Sequence, residues 1–547
     1  MTSVSSGDRN CAVQIDKTLF DHADVLELEV PSSCGRMGTC HECVVEIREG
    51  AAALSTATEA EAFLRDGYRL ACQACVCRDG QDVEFALLRR AAQVLSSKTE
   101  LPVPLDPCVR RVGDHVVNGT AEVDRYRGRI LGIGLDVGTS TAVAELVDLE
   151  SGVSLYQAHF ENPQRFGGSD VISRIHYDSQ IGPGELHRAM INTLNLEIRR
   201  MCAELDVSRH QIYDLVVVGN STMRELFFGQ DVEAIGQRPY KSDIELEQLA
   251  GERSNNVREC SARQLGISMN RNASVYGAPL VASHLGGDVA ADLLALDVAN
   301  QRGSFMLVDI GTNTEVIIGH GGRLLAASCP AGPAFEGGLV RFGMPACEGA
   351  IESIRRDAEG FHYSTIGGVA PQGFCGSGLI DLLAELRRSK WMTEKGVFPD
   401  KQRELTIVAD PPLTLSREDA SQLAQAKAAN YCGQVILLQH LGIRPEEIDC
   451  LYLAGGFANY INVAAAAEIG FLAPVPQDRI VRLGNAALEG ARQLLISVPK
   501  RQELLDLLKR VEHVELETTP QFFEMFVDGC QFKPMVYESA GDPTDKV

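Results

Sequence analysis

Four cysteines near the start of the chain have the spacing of metal-cluster ligands. Cys34, Cys40 and Cys43 lie in one glycine-containing segment, and Cys72 follows later within the run Arg-Leu-Ala-Cys-Gln. Three thiolates from one tight loop and a fourth from a distant segment are the ligand pattern of a [2Fe–2S] cluster. The spacing therefore predicts a one-electron carrier, although the rest of the chain has no oxidoreductase signature.

Zinc is the main alternative for these four thiols. Structural zinc sites usually combine two close-spaced pairs of Cys or His, whereas three of the ligands here share one segment. Five residues separate Cys34 from Cys40, one more than in the plant-type pattern. This spacing resembles that of the vertebrate and bacterial variant ferredoxins, and we favour a cluster over zinc.

The other cysteines and the histidine near the loop are not expected to be cluster ligands. The Leu-Ala-Cys-Gln context selects Cys72, so we expect Cys75 and Cys77 to be packed thiols, with a swapped ligand left open. His41 suggests a Rieske centre, but no second histidine lies near the loop or near Cys72, and we reject it. Core packing is expected for the remaining cysteines, including Cys329, Cys347 and Cys375.

A second kind of chemistry is indicated by a motif that occurs twice. Residues 136–141 and 309–314 both follow an apolar run and both read Asp-x-Gly-Thr-polar-Thr. Glycine lets the backbone approach a phosphate closely, hydroxyls and backbone N–H groups can hold its oxygens, and an aspartate at a strand end can orient Mg²⁺ or its water shell. Two copies predict two related half-domains that face one nucleotide. Two coincidental turns are a weaker explanation.

Two glycine-rich segments follow these loops in the chain. Residues 373–381 fit a tight turn into a helix, and residues 451–457 fit an apolar strand that ends in a glycine pair. Such glycines would leave room for an adenosine against the backbone. Close helix–strand packing is the alternative for either segment alone. The residues expected to border the nucleotide are Gly376, Ser377, Gly455 and Gly456.

Three single residues are weaker candidates for the nucleotide site. Asp288 and Glu336 are expected either to position the attacking water or to cap a helix. Lys427 lies on a predicted amphipathic helix, from which it would reach the nucleotide or, as is more usual, extend into solvent.

Composition limits the classes of function. The chain has 547 residues, enough for several domains, and a net charge of −23 that argues against nucleic acid or an anionic membrane as a partner. No apolar run has the length of a membrane span, and the first residues lack the basic start and apolar core of a signal peptide. We therefore expect a cytoplasmic protein whose cysteines are reduced, metal-bound or buried.

The surrounding sequence indicates how the cysteine loop is positioned. Residues 9–95 are predicted to form a small β-grasp domain, with strands over 25–30 and 44–47 and a short helix with a capping box over 58–64. Closely spaced prolines disfavour a helix over 101–107. Residues 96–129 are therefore predicted to be a linker.

Residues 130–547 have the pattern of an α/β domain. Apolar strands are predicted over 130–135, 215–218 and 305–308, and they alternate with helices. Ser416 and the acidic residues after it mark the start of a long helix for which Gly442 is a plausible end. The predicted fold class is a multidomain chain in which an α+β domain precedes an α/β domain.

Taken in order, these motifs resemble the ASKHA superfamily, which contains acetate and sugar kinases, the heat-shock chaperone ATPases and actin. Within it, the chain resembles the reductive activators of corrinoid enzymes, in which a β-grasp [2Fe–2S] ferredoxin is joined to a two-lobed ASKHA ATPase. The resemblance covers nearly the whole chain and includes residues 162–175, 219–223, 329–337 and 484–491.

The resemblance implies a role for each matching position. The cofactors it implies are a [2Fe–2S] cluster held by the four cysteines, ATP and Mg²⁺, with Asp136 and Asp309 as catalytic residues. Gly455 and Gly456 would border adenosine. The two phosphate loops it implies are formed by Asp136, Gly138, Thr139 and Ser140 and by Asp309, Gly311, Thr312 and Asn313.

The function implied by the resemblance is ATP-dependent reductive activation. The protein would take an electron from a donor protein or reductase and pass it to the Co(II) corrinoid of a methyltransferase or corrinoid protein, restoring Co(I). Some members carry a further small domain before the ATPase, for which the interval here looks too short, so a homodimer stays open. Three alternatives also stay open: activation of another metalloenzyme, a small-molecule kinase regulated by iron–sulfur chemistry, and an ATP or redox sensor.

Overall fold

The N-terminal domain is a five-stranded mixed sheet with one helix packed against it. The computed structural model describes residues 2–88, 103–456 and 458–537. The strand order is β2-β1-β5-β3-β4, which confirms the small ferredoxin-like fold. The elements are β1 (Ser3–Ser6), β2 (Arg9–Ala12), α1 (Leu19–Val25), β3 (Val44–Glu49), β4 (Tyr68–Leu70) and β5 (Val83–Leu87).

Two details of this domain differ from the prediction. The sheet begins at Ser3, before the predicted boundary at residue 9, and residues 89–95 lie outside the described part of the chain. The strand predicted over 25–30 is wrong: α1 ends at Val25, and the residues after it are irregular. A capping box between Thr18 and Asp21 starts this helix and overrides the local alternation of apolar and polar residues.

The segment before the fourth cysteine keeps its predicted capping box but not a full helix. The backbone N–H of Thr58 donates to Glu61 at 2.8 Å, and a 3₁₀ turn spans Glu59–Glu61. Glu61 also accepts hydrogen bonds from Arg69 at 2.7 Å and from the N–H of Leu70 at 2.9 Å. This buried carboxylate therefore joins the turn to the strand that leads to Cys72.

Part of the predicted linker is a small antiparallel sheet. Its strands are β6 (Val109–Val112), β7 (His115–Asn118) and β8 (Ala121–Arg125). Val109 of β6 and Val116 of β7 are buried against the following domain. The linker prediction was wrong for this stretch, and residues 96–102 lie outside the described residues.

The first lobe of the large domain is built on a six-stranded sheet of order β11-β10-β9-β12-β14-β13. Strand β9 forms a hairpin with β10 and pairs in parallel with β12. The strands predicted over 130–135 and 215–218 are therefore confirmed as β9 and β12. The strands are β9 (Leu131–Val137), β10 (Thr141–Asp148), β11 (Ser154–Glu161), β12 (Ile212–Gly219), β13 (Arg258–Ser261) and β14 (Ser274–Gly277).

The second lobe repeats this arrangement. Its strands are β15 (Phe305–Ile310), β16 (Thr314–His320), β17 (Arg323–Cys329), β18 (Ala350–Arg356), β19 (Phe361–Thr365), β20 (Gly373–Phe374), β21 (Glu404–Val408), β22 (Leu413–Ser416), β23 (Cys450–Ala454), β24 (Ile480–Gly484) and β25 (Val511–His513). The main sheet has the order β24-β23-β15-β16-β17-β25. Strand β15 forms a hairpin with β16 and pairs in parallel with β23, as β9 does with β10 and β12.

Helices cover the two main sheets. The long predicted helix is confirmed as α8, with a capping box at Ser416 and a left-handed Gly442 at its end. The helices after α1 are α2 (Val171–Gln180), α3 (Glu185–Glu204), α4 (Ser221–Phe227), α5 (Asp243–Leu249), α6 (Gly287–Ala295), α7 (Gly376–Arg388), α8 (Arg417–Leu441), α9 (Val463–Glu468), α10 (Ala486–Ile496), α11 (Val498–Leu508) and α12 (Phe522–Gly529). None of these helices in the described ranges is both long enough and apolar enough to cross a membrane.

Candidate functional site

The two Asp-x-Gly-Thr loops meet at one cavity between the lobes. Each loop is the turn of a hairpin, β9–β10 in the first lobe and β15–β16 in the second. Both lobes contribute to the cavity wall. The lining includes Asp136, Gly138, Thr139, Ser140, Asn220, Asp288, Asp309, Gly311, Thr312, Asn313, Glu315, Glu336, Gly455, Gly456 and Asn485.

Two of the predicted nucleotide-binding residues lie outside this lining. Gly376 and Ser377 are buried at the start of α7, where the Ser377 hydroxyl lies 3.3 Å from the Cys375 thiol. A side chain at Gly378 would lie 2.1 Å from the carbonyl oxygen of Ile351. The glycines of this turn therefore allow close helix–strand packing, which was the alternative explanation.

Two glycines of the cavity lining lie too close to a backbone oxygen to carry a side chain. Gly455 has a φ of +99°, and a Cβ there would lie 2.2 Å from the carbonyl oxygen of Ile310. A Cβ on Gly138 would lie 2.6 Å from the carbonyl oxygen of Thr141. Gly456, in contrast, has open space around the position of a Cβ. The backbone therefore excludes a side chain at Gly455 but leaves room for one at Gly456.

Two asparagines that the sequence analysis did not single out stabilise the first loop and its aspartate. Asn220 Nδ2 donates to Thr139 Oγ1 at 3.1 Å, and Asn485 Nδ2 donates to Asp136 Oδ2 at 2.8 Å. Both are N-cap residues, of α4 and α10, and both follow a glycine that ends a strand. In the sequence, a Gly-Asn pair at the end of a strand could have identified both asparagines.

Several carboxyl groups lie close together in the lining of the cavity or directly beside it. Burial raises the pKa of Asp136 to about 7 and that of Asp288 to about 8, and neighbouring carboxylates add to both shifts. Burial also raises the pKa of Asp309, and more strongly the pKa values of Asp292 and Glu315. Asp292 and Glu315 were not predicted. A bound cation would relieve this repulsion, because opposite charge favours the ionised carboxylates.

This set of carboxylates is better suited to a cation that keeps its water shell than to one ligated directly by the side chains. Across residues 2–88, 103–456 and 458–537, no three His, Cys, Asp or Glu side chains converge closely enough to ligate a single ion directly. Mg²⁺ keeps several waters and is usually bound through one or two carboxylates and substrate phosphates. Asp136 and Asp309, which the sequence analysis predicted for this role, lie near the ends of β9 and β15 and line the cavity.

The three weaker candidates have distinct positions. Glu336 lies between the two loops and accepts hydrogen bonds from Ser140 and Thr312. Asp288 lines the cavity in the first turn of α6 and accepts a hydrogen bond from its neighbour's N–H. Lys427 is fully buried in the second lobe, near the carbonyl oxygen of Gly470, and neither reaches the cavity nor extends into solvent. Burial lowers its pKa to about 7.

The four predicted cluster ligands are brought together as two pairs. Cys34 interacts with Cys40, and Cys43 interacts with Cys72, while charge interactions connect the pairs. Two thiols for each of two irons is the ligand set of a [2Fe–2S] cluster, so the residues fit this group. Burial raises the pKa of Cys34, but hydrogen bonds from the backbone and side chain of Cys40, and then from the backbone N–H groups of Thr39 and Met37, outweigh it and lower the pKa to about 5.

The other two cysteines near the cluster loop differ from each other. Cys75 is half-buried, as expected for a packed thiol, whereas Cys77 is exposed and was wrongly predicted to be packed. His41, between two ligands in the sequence, stacks on the ring of Phe63 with 4.1 Å between centroids. Its Nδ1 lies 2.8 Å from Glu185 of α3.

The cluster domain packs directly on the first lobe. Phe63 makes an edge contact with Phe166 at 6.0 Å between centroids, and Phe166 makes another with Tyr177 at 5.5 Å. Arg165 forms an ion pair with Glu46 at 3.2 Å. The apolar core is continuous from the N-terminal sheet into the first lobe. The cluster loop is thus fixed against the lobe that carries the first phosphate loop.

Comparison with known proteins gives matches along most of the chain. Three family models match in order: the 2Fe-2S iron-sulfur cluster binding domain over residues 4–77, the RACo middle region over 131–301, and the C-terminal domain of RACo, the ASKHA domain, over 304–539. The solved structure of a "Reductive activator for corrinoid,iron-sulfur protein" has a TM-score of 0.70 and 26% identity, with coverage of 98% of this chain and 99% of that chain.

Two curated relatives are similar over much of their length. The corrinoid activation enzyme RamQ of Eubacterium limosum is 28% identical, over 91% of this chain and 93% of the relative. The [Co(II) methylated amine-specific corrinoid protein] reductase of Methanosarcina barkeri is 24% identical, over 72% of this chain and 76% of the relative. These matches follow the same domain order as the fold, and the chain belongs to the family of reductive activators of corrinoid proteins, which join a 2Fe-2S domain to an ASKHA domain.

Proposed function

We propose that the protein is an ATP-dependent reductive activator that transfers one electron to the Co(II) corrinoid of a partner protein and restores Co(I). The observation that carries this proposal is the packing of the cysteine loop against the lobe that holds the first phosphate loop. The two relatives named as acting on corrinoid proteins support the choice of partner. An electron donor protein or reductase would supply the electron in the cytoplasm.

Each part of the proposed site has a stated role. Cys34, Cys40, Cys43 and Cys72 would hold a [2Fe–2S] cluster, which when bound supplies one-electron transfer. Asp136 and Asp309 would orient Mg²⁺ through its water shell. The backbone and hydroxyl groups of 138–140 and 311–313 would hold the phosphates. Open space beside Gly456 would accept the adenosine.

ATP has a thermodynamic role in this proposal. Reduction of Co(II) to Co(I) is unfavourable for an ordinary ferredoxin, and each ~59 mV of deficit in a one-electron step lowers the equilibrium constant about tenfold. A ligand can shift such an equilibrium only through different affinities for two states of the protein. Closure of the two lobes around Mg·ATP is the conformational change we propose to couple to the partner.

An anaerobic assay tests the function. The purified protein with its cluster is mixed with a Co(II) corrinoid protein from the same cell and a low-potential reductant, and the cobalt spectrum is followed with and without Mg·ATP. We expect ATP-dependent formation of Co(I). Asp309→Asn should remove the ATP dependence with the cluster intact, and Cys40→Ala should remove the cluster itself.

The same assay separates the alternatives. Co(I) that forms equally fast without ATP would contradict the proposal. An intact cluster and bound ATP without any Co(I) would indicate a sensor or a different metalloprotein partner. Stoichiometric phosphorylation of a metabolite would instead indicate a kinase.

A further inference from the structure

One buried arginine touches the first phosphate loop from behind. Arg174 of α2 is 1% exposed, and its Nη2 donates to the carbonyl oxygen of Thr139 at 2.6 Å. Its Nε donates to the carbonyl oxygen of Gly168 at 3.0 Å, and its Nη1 contacts the sulfur of Met223. Among the residues with described positions, no carboxylate lies within ion-pair distance of this guanidinium.

A buried cation without an ion pair is costly unless other negative charge compensates it. Burial lowers the pKa of Arg174 to about 9, although the more distant charges of Asp170 and Glu336 oppose the shift. Thr139 lines the proposed phosphate site, whereas Arg174 lies outside the lining. Phosphates bound on the cavity side would add negative charge near the guanidinium and strengthen its attraction for the loop.

The same helix holds the cluster domain one turn further on. Tyr177 is fully buried, and its hydroxyl donates a hydrogen bond to the carbonyl oxygen of Phe63. Arg65 donates to the carbonyl oxygen of Ser173 at 3.4 Å. Phe63 in turn stacks on His41 in the cysteine loop. Positions three apart lie on one face of a helix, so Arg174 and Tyr177 connect the phosphate loop with the cluster loop through a single turn of α2.

We propose that Arg174 and Tyr177 are positioning residues that transmit phosphate binding at 138–140 through α2 to the Phe63–His41 contact, so that a bound nucleotide holds the cluster domain more firmly on the first lobe. This inference rests on the proposed nucleotide site and adds the route by which its occupancy reaches the electron carrier. Coupling between two sites of this kind is reciprocal: a domain held more firmly binds nucleotide more tightly.

Hydrogen exchange of the full chain with its cluster in place tests the route. Exchange is measured with and without Mg²⁺ and a non-hydrolysable ATP analogue, in peptides that cover 136–141 and 59–70. For the wild type we expect exchange to become about fivefold slower in both peptides. In Tyr177→Phe, which removes only the hydroxyl, the loop should still be protected and the protection of 59–70 should be lost.

Three further variants make the result specific. Tyr213→Phe removes another buried hydroxyl of the first lobe, one that donates to Asp124 at 3.1 Å, and should behave like the wild type. Arg174→Lys should restore part of the coupling that Arg174→Met loses. Two outcomes would overturn the route alone. In one, residues 59–70 remain protected in Tyr177→Phe; in the other, the nucleotide protects the loop of the wild type but not residues 59–70. No protection of either peptide would overturn the nucleotide site as well.

Discussion

Ser140 of the first phosphate loop donates a hydrogen bond to Glu336 of the second lobe at 2.9 Å. Thr312 of the second loop donates to the same carboxylate oxygen. One carboxylate thus joins the two hydroxyl groups that we assign to phosphate binding. Burial raises the pKa of Glu336, although both hydroxyls oppose the shift. A phosphate group and Glu336 are therefore competing acceptors for the same donors.

Replacement of this carboxylate should strengthen nucleotide binding. In Glu336→Gln the negative charge beside the phosphates is removed, while the side-chain oxygen is kept as an acceptor. Two like charges about 4 Å apart repel by roughly 1 kcal/mol even in water, so we expect the Kd for Mg·ATP to fall about fivefold in calorimetry. Glu418→Gln, an exposed change on the same lobe, is the control. Weaker binding in Glu336→Gln would instead assign the carboxylate to the cation.

The buried aspartates predict how stability depends on pH. The folded-state pKa values of Asp136, about 7, and of Asp288, about 8, are raised above the unfolded value of about 3.9. The folded state therefore binds these protons more tightly, and the stability they contribute is lost as pH rises toward 8. Each pKa unit corresponds to about 1.4 kcal/mol. We expect the Tm in EDTA to fall between pH 6 and 8.5, and Mg²⁺ to reduce this fall.

A matched pair of variants checks the origin of that slope. Asp136→Asn should flatten the dependence of Tm on pH, because the amide does not titrate. Asp478→Asn, on the exposed surface, should leave the slope unchanged. A Tm in EDTA that rises across the interval would show that other groups dominate.

The glycine pair after β23 offers a second matched comparison. Gly455→Ala introduces a Cβ 2.2 Å from a backbone oxygen at a φ of +99°, and we expect a loss of more than about 2 kcal/mol in the free energy of unfolding. Gly456→Ala meets open space and should leave that free energy nearly unchanged. Chemical denaturation measures both. Equal stability of the two variants would contradict the close approach of the loops.

The cysteine assignment predicts which thiols the cluster needs. Cys72→Ala should abolish the visible absorption of a [2Fe–2S] cluster after anaerobic reconstitution, because the pair with Cys43 is broken. Cys77→Ser should retain the absorption, since this thiol is exposed and outside both pairs. Loss of the spectrum in Cys77→Ser with retention in Cys72→Ala would indicate a swapped ligand.

The sequence predicted the parts of the site that repeat or that have fixed spacing. The two Asp-x-Gly-Thr loops could be placed opposite each other because each follows a strand, and the four cysteines because their spacing is restrictive. Glu336 could be only a weak candidate, because its position between Ser140 and Thr312 depends on how the two lobes pack. Arg174 lies in the stretch 162–175, but its contacts with two backbone oxygens and the sulfur of Met223 depend on the fold and could not be predicted.

The incorrect predictions have local causes. Residues 25–30 alternate like a strand, but the capping box at Thr18 and the burial of Leu19, Phe20 and Ala23 favour a helix that ends at Val25. Residues 109–125 form three strands too short for a clear pattern. Lys427 is on a long helix whose buried residues cover most of its circumference, so the usual solvated lysine was the wrong expectation.

The continuous core between the N-terminal sheet and the first lobe limits how the protein can meet other redox proteins. The His41 side of the cysteine loop is covered by the lobe, while Met37 on the same loop is 70% exposed. In the function proposed above, the electron donor and the corrinoid protein would both approach the cysteine loop from this uncovered side. They would then bind one after the other and not at the same time.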